Sequence, residues 1–334
     1  MSDTKLRLSV ILPVCNGRDY LAQAIDSVLS QSFRDLELII IDDGSTDGSG
    51  AIIEKADDPR IRSFRQSNRG LAATLNRAIS LARGEYIARQ DQDDISLPSR
   101  LGKQVDFLDA NPDVGMLGTS AEIWVGNARS DRQLKHPSDN AALKFGLLFD
   151  NHFVHSSVMI RRDVLEDVGG YSEDPARQPP EDYELWSRVM KRYRLANLPD
   201  ILLAYREVAG SMSRTGVNPF LHKLVRISSE NIAWASGLPV DSIGVNAVAN
   251  LSHGVFERIP RGASFSGMKA ILRRAAQGVA ADAGVPPLQL DGPLRWRIRQ
   301  LRYRYLDYRC GGLIGKILRG RARSMAKRMA ERIL

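Results

Sequence analysis

Asp91-Gln92-Asp93-Asp94 places three carboxylates within four residues. Charges this close repel one another by about a kcal/mol or more unless something positive sits among them. A divalent cation can supply that charge. Hard oxygen ligands suit Mg²⁺ or Mn²⁺, which keep waters and bridge to substrate phosphates. Asp42-Asp43-Gly44-Ser45 forms a second acidic turn, and an Asp so placed binds ribose in dinucleotide folds. Glu181-Asp182 follows Pro179-Pro180 and offers a general base for an acceptor hydroxyl. Each has an ordinary alternative. The first could be a solvated turn with Asp94 capping the next helix. The second could be an Asx turn with Ser45 or Asp47 capping the next helix, and the third could be carboxylates complementing a helix dipole.

The elements around these residues favour the chemical reading. Leu8–Val14 and Leu36–Ile41 are short apolar runs of the kind that form buried parallel strands. Asp19–Leu29 sets Leu21, Ile25, Val28 and Leu29 on one helical face. Helical patterns over Thr46–Ala56 and Leu71–Ala82 flank strands at Ile61–Phe64 and Tyr86–Ala88. Strands alternating with helices in this way mean βαβ units and a mostly parallel sheet. Such a sheet binds its ligand beyond the carboxyl ends of its strands, where both acidic turns fall. Asn16-Gly17-Arg18, not a GxGxxG, follows the first strand, which disfavours hydride transfer. Further strands are expected near Gly115–Ile123 and Ser156–Ile160, with a helix over Glu181–Lys191 that buries Trp186.

Composition narrows the class. The 334 residues are 43% hydrophobic and 26% charged, which excludes a disordered or collagen-like polymer. Cys15 and Cys310 form no CxxC pair, so a reducing compartment is expected. No apolar run approaches the roughly 18 residues that span a bilayer, and the N-terminus reads as a strand, not a signal peptide. Net charge is +8, but residues 295–334 carry 13 Lys and Arg against two acidic residues, a net of +11. The preceding 294 residues carry 34 basic and 37 acidic groups, a net of −3. The basicity therefore belongs to a tail.

Six ordered motifs resemble family 2 glycosyltransferases over roughly residues 6–215. They are Ser9–Gly17, Ile41–Asp47, Asn68–Asn76, Gly84–Asp94 with Pro98 and Arg100-Leu101, His155–Met159 with Gly169-Gly170-Tyr171, and Glu181–Trp186. The resemblance implies a nucleotide-sugar-binding α/β domain of the GT-A type with a mostly parallel central sheet flanked by helices. It implies an inverting transfer to a hydroxyl of a glycan or lipid-linked acceptor in cell-surface polysaccharide assembly. Carried over, Pro13 flanks the base, Asp43 binds the nucleoside, and Asn68 and Gln92 join the donor site. Asp91 approaches the ribose, Asp93 with Asp91 holds Mn²⁺ or Mg²⁺, and Asp182 is the base. UDP- or dTDP-sugars are the expected donors. One departure stands out: in Tyr205–Ser213 the family's histidine falls at Val208, which leaves its role to Arg206 or Arg214. A nucleotidyltransferase and a degenerate sugar-nucleotide scaffold are the competing readings. The first would release pyrophosphate and not need Asp182; the second would bind nucleotide without turnover.

The expected organisation is a GT-A domain over 1–220, a helical extension over 221–290 and a basic amphipathic tail over 291–334. Arginines interleaved with Trp296, Tyr303 and Tyr305 suit an anionic membrane surface, so residues 295–334 are expected to dock there. This corresponds to a cytoplasmic protein held peripherally on the inner face. A helix packed on the protein or in an oligomer contact is the alternative, and nucleic acid is the least favoured partner.

Overall fold

The computed structural model describes residues 6–208 and 219–310. Two compact units divide the chain, residues 1–227 and 228–334.

In the first unit, β1 (Leu8–Val14) and β2 (Leu36–Asp43) are buried at every position, as strands covered on both faces must be. Between them runs α1 (Arg18–Leu29), followed after β2 by α2 (Ser49–Lys55) and β3 (Ile61–Gln66). Next come α3 (Leu71–Leu81), β4 (Tyr86–Arg89), the two-residue β5 (Ile95–Ser96) and α4 (Arg100–Ala110). Leu21, Ile25 and Val28 of α1 and Leu101, Val105 and Leu108 of α4 cover the sheet face carrying Leu8, Val10, Leu12 and Leu38. Each fully buried aliphatic side chain contributes about 1.5–3 kcal/mol relative to exposure, so this layer is the main anchor of the strand ends.

The second half of the unit comprises β6 (Val114–Val125), β7 (Ala128–Leu134), α5 (Asn140–Leu147), β8 (Met159–Arg161), α6 (Arg162–Val168), α7 (Glu181–Val189) and β9 (Arg194–Glu207). All nine strands form one sheet in the order β3-β2-β1-β4-β8-β6-β9-β5, with β7 on β6. Ladders from β3 to β4 are parallel. Beyond β4, antiparallel pairs with β8, between β8 and β6 and between β9 and β5 alternate with the long parallel β6–β9 ladder. The GT-A-like α/β architecture is thus parallel where the nucleotide is expected and mixed beyond it.

One expected strand begins late. His155–Ser157 is a 3₁₀ turn, and β8 starts only at Met159. Ser157 N and Ser157 Oγ both donate to Val154 O at 2.8 Å, and this local bonding competes with the sheet ladder.

The division between units falls within α8 (Leu221–Ser236). The second unit continues with α9 (Ile243–His253), α10 (Phe265–Ala283) and α11 (Asp291–Arg309). Val245, Val248, Leu251, Leu272, Val279 and Leu301 are its buried apolar core. Ser264 caps α10 by accepting from Gly267 N at 3.1 Å, and Gly284 closes it at φ +68°, a left-handed position that favours glycine.

Candidate active site

Every strand of the parallel half ends at one rim, and a cavity of about 810 Å³ opens there. Pro13 of β1, Asp43 of β2 and Asn68 of the loop after β3 line it. Asp91, Gln92 and Asp93, after β4, form another wall, and Asp182 enters from the first turn of α7. The seven residues singled out in the sequence, spread over 170 positions, therefore share one chamber.

Asp43 is more heavily engaged than a free nucleoside ligand would be. Its Oδ1 accepts from Arg69 N at 2.8 Å and Gln66 Nε2 at 2.7 Å, and its Oδ2 accepts from Gly70 N at 3.0 Å. Of about four acceptor positions on a carboxylate, one is left for a ligand. Gly44, at φ +79°, turns the chain here, and a Cβ would lie 2.9 Å from Asn68 N. Only glycine fits that approach. Asn68 Nδ2 donates to Cys15 Sγ at 3.3 Å. The Cys15 thiol is exposed at the rim, not packed.

Gln92 is a clamp. Its Oε1 accepts from Cys15 N at 2.8 Å while its Nε2 donates to Cys15 O at 3.1 Å. One side chain thus satisfies both backbone groups beyond the end of β1 and ties the acidic loop to that strand. The fit is close, because a Cβ at Gly17 would come within 2.5 Å of Gln92 Oε1.

The three aspartates of the loop have separate environments. Burial alone would raise the Asp91 carboxyl, but the charge of Arg89 holds it below its ordinary value, with Arg89 Nη2 donating to Asp91 Oδ1 at 2.6 Å. Asp91 Oδ2 accepts from Ser156 Oγ at 2.5 Å. Asp94 is buried, touches the same Ser156 hydroxyl and accepts from Arg206 N at 2.8 Å. Burial and the charges of Asp91 and Asp93 push it well above the carboxylate range. It caps no helix; Ser99 holds the N-cap position of α4. Asp93 is pushed up to about 6, first by burial and then by Asp91. Among the described residues, no side-chain donor of another residue reaches its carboxylate.

Those differences decide how a cation would fit. Arg89 supplies much of the counter-charge that sequence reasoning assigned to a metal, and both Asp91 oxygens already have protein partners. Of the three loop aspartates, only Asp93 lines the cavity with a carboxylate that, among the described residues, accepts from no other residue's side chain. Among the described residues no cluster of three or more His, Cys, Asp or Glu forms a closed metal cage. A single carboxylate suits Mg²⁺ or Mn²⁺, whose remaining positions are taken by waters and substrate phosphates.

Asp182 is pushed up to about 7, first by burial and second by the neighbouring Glu181. Asn151 Nδ2 donates to its Oδ2 at 2.7 Å, and Tyr183 N donates to its Oδ1 at 2.7 Å. A carboxyl near neutrality at the edge of a binding cavity can exchange protons with a bound hydroxyl. His155 also lines the cavity and bonds the Tyr171 hydroxyl at 2.9 Å. Burial, followed by Arg89, pushes His155 down to about 3, so the ring stays neutral. Trp186 is fully buried against His155, Tyr171 and Phe153 and serves as core, not as a sugar platform.

Two family models match the chain, "Glycosyl transferase family 2" over residues 9–169 and "Glycosyltransferase like family 2" over residues 138–233. EpsE of Bacillus subtilis is 35% identical over 217 residues, covering 62% of this chain and 76% of EpsE. The O-antigen biosynthesis glycosyltransferase WbnJ of Escherichia coli is 35% identical over 210 residues, 60% of this chain and 79% of WbnJ. The chain belongs to glycosyltransferase family 2. Residues 1–349 of S. aureus TarS, solved with UDP-GlcNAc, share the fold at TM-score 0.59 and 20% identity, covering 91% of this chain and 92% of that one.

In this family 2 glycosyltransferase the residue standing for the family histidine, Val208, is half-buried, and Arg214 lies outside the described residues. Arg206 does not take that role over. It is 1% exposed, and four of its N–H donors are occupied by Asp93 O at 2.7 Å, Gly126 O at 3.1 Å, Gln23 Oε1 at 2.8 Å and Asn127 Oδ1. Its guanidinium stacks 4.1 Å above the Tyr20 ring. Its task is to hold the backbone of the acidic loop. Sequence reasoning missed this, and missed the buried Arg89 and Arg100, because arginine in a linear pattern reads as surface.

Proposed function

We propose that this enzyme moves a sugar from a nucleoside diphosphate sugar to a hydroxyl of a glycan or lipid-linked acceptor in a single displacement that inverts the anomeric carbon. The observation that carries this reading is the placement of Asp182, near neutral in pKa, in the same cavity as the Asp91–Asp93 wall. The Asp182 carboxylate takes the proton of the acceptor hydroxyl as its oxygen bonds to the anomeric carbon. The bond to the diphosphate oxygen breaks on the opposite face. No second carboxylate is needed as a covalent nucleophile. Pro13, Asn68 and the one remaining acceptor position of Asp43 define the nucleoside end of the chamber. Gln92 and Arg206 keep the acidic loop in register, and Asp91, fixed by Arg89 and Ser156, faces the ribose. Asp93 would hold Mn²⁺ or Mg²⁺, which supplies positive charge where the leaving diphosphate becomes more negative.

A UDP- or dTDP-sugar is the donor we assign, in keeping with the UDP-GlcNAc in the similarly folded TarS. Cell-surface polysaccharide is the destination, in keeping with WbnJ, an O-antigen biosynthesis glycosyltransferase. We place the protein on the cytoplasmic side of the membrane, where sugar nucleotides are made. No helix among the described residues is long and apolar enough to cross a bilayer.

Calorimetry with UDP, dTDP and GDP in the presence of Mn²⁺, paired with donor turnover, tests the assignment. Wild type and Asp182→Asn should bind one nucleotide equally, while turnover in the variant falls by about 10²–10⁴. Undiminished turnover in Asp182→Asn would remove the base, and absence of nucleotide binding would remove the transferase site.

A further inference from the structure

The last described helix has two unlike faces. On one, Leu301 is 1% exposed, Arg304 Nη1 donates to Leu251 O at 3.2 Å, and Tyr305 and Tyr308 stack with Phe265 and Phe256. That face is internal to the second unit. On the other face the spacing 295, 299, 302, 306, 309 follows the helical repeat. It carries Arg295, Arg299, Arg302, Leu306 and Arg309, all exposed. Trp296 and Tyr303 flank this stripe at 50% and 61% exposure, and Leu306 is 43% exposed. Among the described residues the only ion pair to these arginines is Arg295 with Asp291, at 4.0 Å.

We propose that this face of α11 docks on a bilayer containing anionic lipid. Four arginines on one face match a layer of lipid phosphates, and each basic side chain near such a surface adds to binding. The two aromatic rings on the same side are amphipathic groups of the kind that settle at headgroup level. The apolar content of the face is too small for a deeply inserted amphipathic helix, so contact is made at the headgroups and depends on charge. A single-stranded nucleic acid would also meet arginines and rings, but it requires successive rings to stack on bases along a groove. Trp296 and Tyr303, seven positions apart on a convex helix, form no groove. Docking through this face is independent of the transfer reaction and would hold for an inactive chain.

Sedimentation of the full chain with phosphatidylcholine vesicles, with and without phosphatidylglycerol, tests the proposal. Binding should require the anionic lipid and weaken as salt shortens the screening length from about 10 Å at 0.1 M. The variant Arg295→Gln/Arg299→Gln/Arg302→Gln/Arg309→Gln should lose about tenfold or more of its partition coefficient, with its circular dichroism unchanged. Should that variant misfold, Arg299→Gln/Arg302→Gln, away from the helix ends, should show the same direction with a smaller loss. Trp emission should shift to the blue on anionic vesicles in wild type and not in Trp296→Phe. Equal binding by the glutamine variants, equal binding to neutral vesicles, or release from anionic vesicles by an oligonucleotide at matched charge would each overturn it.

Discussion

Asn151 Nδ2 donates to Asp182 Oδ2 at 2.7 Å, joining the loop after α5 to the first turn of α7 across 31 positions. A donor on an ionised carboxylate favours that form. Asp182 already stands at about 7 through burial and Glu181, so removing the donor should raise it further. The rate profile of wild type should therefore fall on the acid side near pH 7. In Asn151→Ala that limb should move to higher pH, by about one unit, while the plateau rate changes less. A profile whose acid limb is the same in both proteins would separate Asp182 from the observed ionisation.

The same carboxyl makes a statement about stability. Its folded pKa, about 7, lies above the ordinary value of about 3.9. Between these pH values the unfolded chain releases the proton that the folded chain keeps, so ionisation erodes stability as pH rises and the loss is complete above about 7. Asp182→Asn removes that penalty. Its melting temperature should match wild type at pH 4 and exceed it at pH 8. A constant difference at both pH values would show that the shift is not seated on Asp182.

Replacing Asp43 should act on two levels. Arg69 N, Gly70 N and Gln66 Nε2 all donate to its carboxylate, and leaving part-buried donors unpaired costs about 1–3 kcal/mol each. Asp43→Ala should lower stability by about 2–4 kcal/mol and weaken nucleotide binding, because the Asn68–Gly70 turn loses its anchor. Denaturant titration and nucleotide calorimetry on one sample measure both effects. Stability loss with unchanged nucleotide affinity would restrict Asp43 to a structural role.

Arg206 and Asp93 give a paired test of the acidic loop. Arg206→Ala removes the donor on Asp93 O and leaves a buried void, a change expected to cost about 2–4 kcal/mol. Asp93→Asn preserves the fold and removes the free carboxylate. Nucleotide affinity should rise with Mn²⁺ in wild type, respond little to Mn²⁺ in Asp93→Asn, and return to the metal-free value in wild type after chelation. A full Mn²⁺ response in Asp93→Asn would mean that the cation is held elsewhere.

The parallel half of the sheet was plain in the sequence because β1 and β2 are uninterrupted apolar runs closed by turn residues. Their observed limits, Leu8–Val14 and Leu36–Asp43, differ from the pattern by no more than two residues. The helix over Glu181–Val189 was equally legible, since Leu185, Trp186 and Val189 repeat at helical spacing. What pattern cannot convey is satisfaction at a distance. Ser156 looked like a strand residue, yet its hydroxyl belongs to Asp91 and Asp94, 65 and 62 positions away. Gln92 looked like a donor ligand, yet both ends of its amide are taken by Cys15. β9 passed unnoticed because its register with β6 shifts three times, and an irregular strand has no clean alternation.

Arg206 N closes on Asp94 from 112 positions downstream, which gives synthesis on the ribosome a definite order. A nascent chain can pair β1 to β4 once Tyr86–Arg89 has emerged, because both strands of each of those ladders then lie in the emerged segment. Its acidic loop would still lack the latch until residue 206 clears the exit tunnel, after Asp182 has already emerged. Full affinity for the sugar nucleotide should therefore appear only in stalled chains that extend past residue 206, shorter chains holding the nucleoside end alone.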